Sequence, residues 1–231
     1  MESEHGVSPS APAQGAGSRV QARVALALLL TVREYDRPGE VLDDEDLTLT
    51  LPRRFGLSEV VDSQIRRYEQ DVRRLRRIPE SEVRDLIRLV TRRPDSEELF
   101  RQVGRSLRSA GASSGWRRLL PRGAAYALAR RAVVRRLRAL FGQPVITTVS
   151  APFRLEAPTN LLLEGDPGGE VCAVVTGLSQ AILEGSMDAP GEVHHPRCRA
   201  HGHDLCVWDV RESSALPPSS AVPVSTEEAH G

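Results

Sequence analysis

The stretch HHPRCRAHGHDLCVW, His194 to Trp208, gathers four of the chain's six histidines and two of its three cysteines into fifteen residues. Thiolates and imidazoles suit borderline-soft divalent cations, zinc above all, which takes four ligands in a tetrahedron. His195, Cys198 and Cys206 stand in the pattern H-x-x-C-x7-C, and Cys172 lies twenty-six residues before Cys198. These four are the candidate metal ligands. A short strand and turn bring His195 and Cys198 together, a hairpin returns Cys206 beside them, and the preceding helix offers Cys172. With all four positions filled by protein, the zinc would be structural. His201 or His203 stays open as a substitute if Cys172 lies too far away. His194 alternates with His195 along a strand and should point to the opposite face. Two other readings stand beside this one. Free cysteines are among the most buried residues and can be inert, and a Cys/His pair can be catalytic, although no oxyanion-hole or orienting element is recognisable for it.

Elsewhere the chain has no G-x-x-x-x-G-K-[ST], no G-x-G-x-x-G, no H-E-x-x-H and no G-x-S-x-G. Phosphate-binding, nicotinamide-binding and common hydrolase signatures are therefore missing, and no catalytic residue is assigned.

The elements that must position the ligands can be read from periodicity. Residues 19 to 35 suit a short helix with Val20, Val24, Ala27 and Leu28 on one side, whereas Leu47, Leu49 and Leu51 alternate with threonines as in a strand. Val61, Ile65, Tyr68, Val72 and Leu75 recur at helical spacing and predict an apolar seam over 58–77. Val83, Leu86, Ile87 and Val90 predict a second helix after Pro79. A third should start at Asp95, capped by its carboxylate with Glu98 completing a capping box, and turn Leu99, Phe100, Val103 and Leu107 inward.

From Ala124 to Phe141 a basic helix sets Ala129, Val133, Leu137 and Leu140 against Arg130, Arg131, Arg135 and Arg138. Without interleaved aromatics its arginines read as a solvated face, so nucleic acid is not favoured. After Gly142 the texture becomes β, with Val145 to Val149 and Leu161 to Leu163 as short apolar runs. A helix over 171–183 follows, its Gly177 signalling close backbone packing and Gly185 its end. Two strands, Glu192 to His195 and Leu205 to Arg211, close the pattern, with Cys206, Trp208 and Val210 on one face.

The expected fold class is α+β. A Ser/Pro/Gly/Ala-rich tail, 1–18, precedes a helical part, 19–108; SAGASSG, 109–115, is a flexible joint; 116–211 form a second domain with a small antiparallel sheet packed on helices; 212–231 form a second tail.

All 31 basic residues are arginine, balanced by 31 acids. Eleven arginines and no acid lie in 101–150, whereas twelve acids face four arginines in 151–231. This polarity suits packing between segments or an acidic protein partner. The most apolar run, Val24 to Val32, is too short for a membrane span, and the first eighteen residues do not look like a secretory signal. An odd number of cysteines with no such signal leads to the expectation of a reducing, cytoplasmic setting.

The ending H-x-x-C-R-A-H-G-H-D-L-C-V-W-D-V resembles the close of the 4-vinyl reductase domain, E-x-x-C-x-A-x-G-x-x-x-C-x-F-x-V, and VCAVVTGLSQAILEG resembles that domain's cysteine-bearing helix. The likeness covers about Pro152 to Val210. It implies a TRAPP-like fold, a homodimer, and a zinc held by Cys172, Cys198, Cys206 and a fourth ligand, glutamate in phenol-sensing relatives and His195 here. It also implies a stand-alone protein that binds or senses a hydrophobic or aromatic small molecule. An enzyme or accessory protein of tetrapyrrole (bacteriochlorophyll) metabolism and a TRAPP-like interaction scaffold are the alternatives.

Overall fold

The computed structural model describes residues 18–36, 47–108, 120–158 and 164–211, with side chains omitted over 47–58. The chain is of mixed α and β class. Among the described residues six α-helices run as α1 (Ala22–Tyr35), α2 (Leu47–Arg73), α3 (Glu80–Val90), α4 (Ser96–Ser106), α5 (Arg122–Phe141) and α6 (Ala173–Glu184). Strands β1 (Arg19–Gln21) and β2 (Arg77–Pro79) pair antiparallel; β3 (Thr148–Ser150), β4 (Arg154–Ala157), β5 (Glu192–Arg197) and β6 (Cys206–Arg211) form an antiparallel sheet in the order β3-β4-β6-β5. The expected tails, the joint over 109–115 and the run Leu161 to Leu163 fall outside the described residues, apart from Ser18.

Helical spacing places the core well. In α3, Val83, Ile87 and Val90 are buried; in α4, Leu99, Phe100 and Val103, with Leu107 just past its end; in α5, Ala129, Val133, Leu137 and Leu140. These side chains join α1, α6 and the large sheet in one apolar cluster. Each large one removed from water contributes about 1.5–3 kcal/mol.

The crossing of α4 over α6 depends on two glycines. A Cβ on Gly104 would sit 2.1 Å from the Val174 carbonyl oxygen, and one on Gly177 would sit 1.9 Å from that of Arg101. The two backbones therefore touch, as Gly177 alone led one to expect, and α6 is sunk among α4, α5 and β5. Gly142 ends α5 in a left-handed conformation at φ 76.

Several local expectations are overturned. Val20 lies in β1, paired with Ile78, and the helix starts only at Ala22. Leu47, Leu49 and Leu51 belong to α2, because a run of three alternations also fits the first turns of a long helix. Asp95 occupies the position before α4 but makes no side-chain cap. Its carboxylate takes Arg93 Nε and Nη2 at 2.9 and 3.0 Å, and Glu98 pairs with Arg101 at 3.2 Å. A bidentate, charge-assisted pair is stronger than a neutral amide cap. The Val145 to Val149 run forms a strand only from Thr148, and Arg154–Ala157, between two prolines, supplies an unexpected strand.

The α2 seam also stops early. Ile65 and Tyr68 are buried, but Leu75 is 91% exposed. The helix ends at Arg73 and the chain turns through Leu75 at φ 52. The Leu75 amide donates to the Val72 carbonyl at 3.0 Å and the Arg76 amide to that of Asp71 at 2.8 Å. This is a Schellman stop, with leucine where glycine is usual. Among the described residues no helix is long and apolar enough to cross a membrane.

Candidate metal centre

The first ligand position is built by a turn at the head of α6. Asp166 is buried, and its carboxylate accepts the amides of Gly168 at 3.0 Å and Val171 at 2.6 Å. The chain then passes Gly169, at φ 85, into one 3-10 turn, Glu170–Cys172. Gly169 is confined twice: its φ suits glycine, and an added Cβ would lie 2.7 Å from Cys198 Sγ and 2.9 Å from Ala200 Cβ. The Glu170 carboxylate accepts the Ser96 hydroxyl, tying the turn to the start of α4. Cys172, fully buried, ends the turn, and its carbonyl accepts Trp208 Nε1 at 3.3 Å.

The other three positions come from the β5–β6 hairpin. A register shift between His194 and Arg197 interrupts the ladder where His195 lies. After Cys198 the chain makes a second 3-10 turn, Arg199–His201, closed by Gly202 at φ 86, and returns to Cys206 at the head of β6. His195 stacks on Trp208, ring centroids 4.6 Å apart and planes 13° from parallel. One strand's indole thus sets the imidazole plane while its N–H holds the backbone of Cys172.

One donor atom from each of Cys172, His195, Cys198 and Cys206 lies within 4.8 Å of the other three. Cys172 Sγ is 3.9 Å from Cys198 Sγ and 4.0 Å from Cys206 Sγ. None of the three cysteines is in a disulfide, and these separations are far beyond an S–S bond of about 2.05 Å. They match a metal shell instead. Sulfurs about 2.3 Å from a tetrahedral zinc stand about 3.8 Å apart. His195 Nε2 is buried without a hydrogen-bond partner among the described residues. A cation among the four donors would satisfy thiols and imidazole together, in a corner closed to water.

The electrostatics point the same way. Cys206 is pulled down to about 4, first by the hydrogen bond from the Cys172 thiol and then by His195 and the Arg199 amide, against the opposing effect of burial. The Arg199 amide reaches Cys206 Sγ at 3.5 Å. The Cys172 thiol is pushed up by holding that proton for Cys206 and by burial, and the Cys198 thiol is pushed up chiefly by burial although the Ala200 amide bonds its sulfur. Without a cation the cluster thus gathers its negative charge on Cys206 and keeps the neighbouring thiols protonated. A divalent ion compensates further thiolates, which three sulfurs in a dry corner cannot otherwise become.

The remaining histidines go elsewhere. His201 Nε2 is 3.1 Å from the Gly168 carbonyl and His203 Nδ1 is 3.1 Å from that of Cys198, so both brace backbone and neither replaces Cys172 in the cluster. His194 faces Glu192 at 3.6 Å. Phe153 is packed in the core beside Tyr126. A small polar depression is lined by Arg197, Gly202, His203, Asp204 and Leu205 at the hairpin tip. Sequence reasoning missed Asp166 and Gly169, which deliver Cys172; the string Asp166-Pro167-Gly168-Gly169 was the turn signal that pointed to them.

No protein-family model matches the chain, and comparison with curated proteins and with solved structures returns no match. What the four residues can do follows from their own geometry: they form a compact cluster able to hold a metal ion.

Proposed function

We propose that the chain is a small-molecule-binding or sensing protein in which a structural zinc, held by Cys172, His195, Cys198 and Cys206, clamps the head of α6 to the terminal hairpin. The observation that carries the metal reading is the set of four donors within 4.8 Å of one another, their sulfurs at nearly the spacing of a tetrahedral shell. Three sulfurs and one imidazole complete zinc's preferred coordination and leave no position for water or substrate, which is the hallmark of a structural rather than catalytic ion. The chain's own residues do the positioning: Asp166 sets the turn before Cys172, Trp208 orients His195, and the amides of Arg199 and Ala200 bear on the sulfurs.

The sensing role is supported by the resemblance of 152–210 to the 4-vinyl reductase domain, and with it come the proposed TRAPP-like fold, a homodimer and a hydrophobic or aromatic ligand. That support is analogy at the level of fold and motif. Native mass spectrometry of protein purified without chelator tests both parts. One zinc per chain is expected, with a retained small molecule on a dimer. A metal-free chain, together with a Cys198→Ser variant as stable as the parent, would overturn the metal reading. A zinc-loaded monomer that binds no apolar ligand would overturn the sensing reading alone.

A further inference from the structure

The turn between α2 and β2 reads Arg73-Arg74-Leu75-Arg76-Arg77. It is well built: its Schellman hydrogen bonds are in place, Arg77 donates to the Arg19 carbonyl at 2.9 Å and the Ala139 carbonyl at 2.8 Å, and Arg19 donates back to the Arg77 carbonyl at 2.7 Å. This lashing to β1 and to the end of α5 holds the tip in one shape. At the tip stands Leu75, in the left-handed region at φ 52 and 91% exposed.

Two features of that leucine are unfavourable in the isolated chain. A β-carbon is strained in the left-handed conformation, where glycine or asparagine makes the same helix stop more easily. An almost fully exposed isobutyl group also gains nothing from burial. Among the described residues neither loss is recovered by burial of the side chain, which stands 91% exposed. Around it Arg73, Arg74 and Arg76 are exposed, and the carboxylate of Asp71, 3.5 Å from Arg76, is the acid paired within the turn.

We propose that this tip docks the protein peripherally on an anionic lipid surface, Leu75 entering the headgroup–acyl boundary while Arg73, Arg74 and Arg76 meet lipid phosphates and carboxylates. A convex turn with one apolar apex and a cationic collar matches a soft layer that is negative above and apolar below. Each arginine near such a leaflet adds about a fivefold gain in binding, and an inserted leucine about tenfold. Three arginines and the leucine then give about a thousandfold, which makes attachment weak, reversible and salt-sensitive. The proposal is independent of the metal centre, which lies in the hairpin and the head of α6.

The test is sedimentation of the full chain with vesicles of phosphatidylcholine alone and with about a third phosphatidylserine. The chain should pellet with the anionic vesicles only and come off at about 0.5 M salt. Leu75→Asn keeps the left-handed stop and should lower partitioning about tenfold, with an unchanged or higher melting temperature and unchanged metal content. Replacing Arg73, Arg74 and Arg76 together by glutamine should lower it about a hundredfold. Equal binding by Leu75→Asn and the parent would overturn the proposal. So would absence of binding to the anionic vesicles, which would leave an acidic protein groove as the occupant to seek.

Discussion

The turn before Cys172 and the turn after α2 make the same backbone demand and meet it with opposite residues. Gly169 stands at φ 85 and Leu75 at φ 52, each next to a helix end. At Gly169 the space for a side chain is already taken by Cys198 Sγ and Ala200, so conformation and crowding both require glycine. At Leu75 only the conformation is demanding, because the side chain points into solvent. Left-handed backbone by itself costs about 1–2 kcal/mol and can be tolerated; left-handed backbone against a packed sulfur cannot. Gly202 lies between the two cases, at φ 86 with open space where a Cβ would be.

Breaking the crowded corner should have the largest consequences. Cys206→Ser removes the sulfur that draws the hydrogen bond of Cys172 and the amide of Arg199. It should abolish stoichiometric zinc, measured by elemental analysis, and lower unfolding free energy by about 3 kcal/mol in denaturant titration, the scale of lost buried networks or metal sites. Gly169→Ala leaves every ligand in place yet should still cost about 2 kcal/mol and weaken zinc in a chelator competition, since either the turn or Cys198 must move. If Gly169→Ala were neutral, the contrast between the two turns would fail. Asp166→Ala leaves the amides of Gly168 and Val171 without their acceptor and should cost about 1–2 kcal/mol by thermal melt. Its zinc loss should be smaller than that of Gly169→Ala. At the open turn the sign reverses: Leu75→Gly should stabilise the fold by about 0.5–1 kcal/mol without touching metal content, because glycine relieves the strained conformation at some entropic cost.

Legibility in the sequence followed the range of the interactions. The thiol–imidazole cluster was readable because thiols and imidazoles are rare and their spacing carries meaning even without a fold. His195 and Cys198 are three apart, and a hairpin was predicted to return Cys206. The buried faces of α3, α4 and α5 were readable for a similar reason, since a 3.6-residue period is local. The failures came where two local rules competed. Leu75 continued the seam of Val61, Ile65, Tyr68 and Val72 by number, but the helix had already stopped. Asp95 had the type and position of a cap, but Arg93 two residues earlier claimed its carboxylate. Strand β4 was hidden because one of its two partners lies fifty-three residues away, Leu155 opposite Trp208, and the other, β3, is only three residues long.

By themselves the residue types and spacings determined that this chain carries a thiol–imidazole donor set near its end, an α+β pattern, and helices with one apolar stripe each. Periodicity and ligand chemistry are properties of short segments, and they survive without knowledge of what packs against them. Only the tertiary structure decided that Cys172, and not His201 or His203, completes the cluster. That choice depends on how deeply α6 sinks against α4 through Gly104 and Gly177, and on the turn that Asp166 and Gly169 hold at its head. A contact across twenty-six residues is set by the packing of whole elements, a sum of many small surface burials that no local stretch encodes.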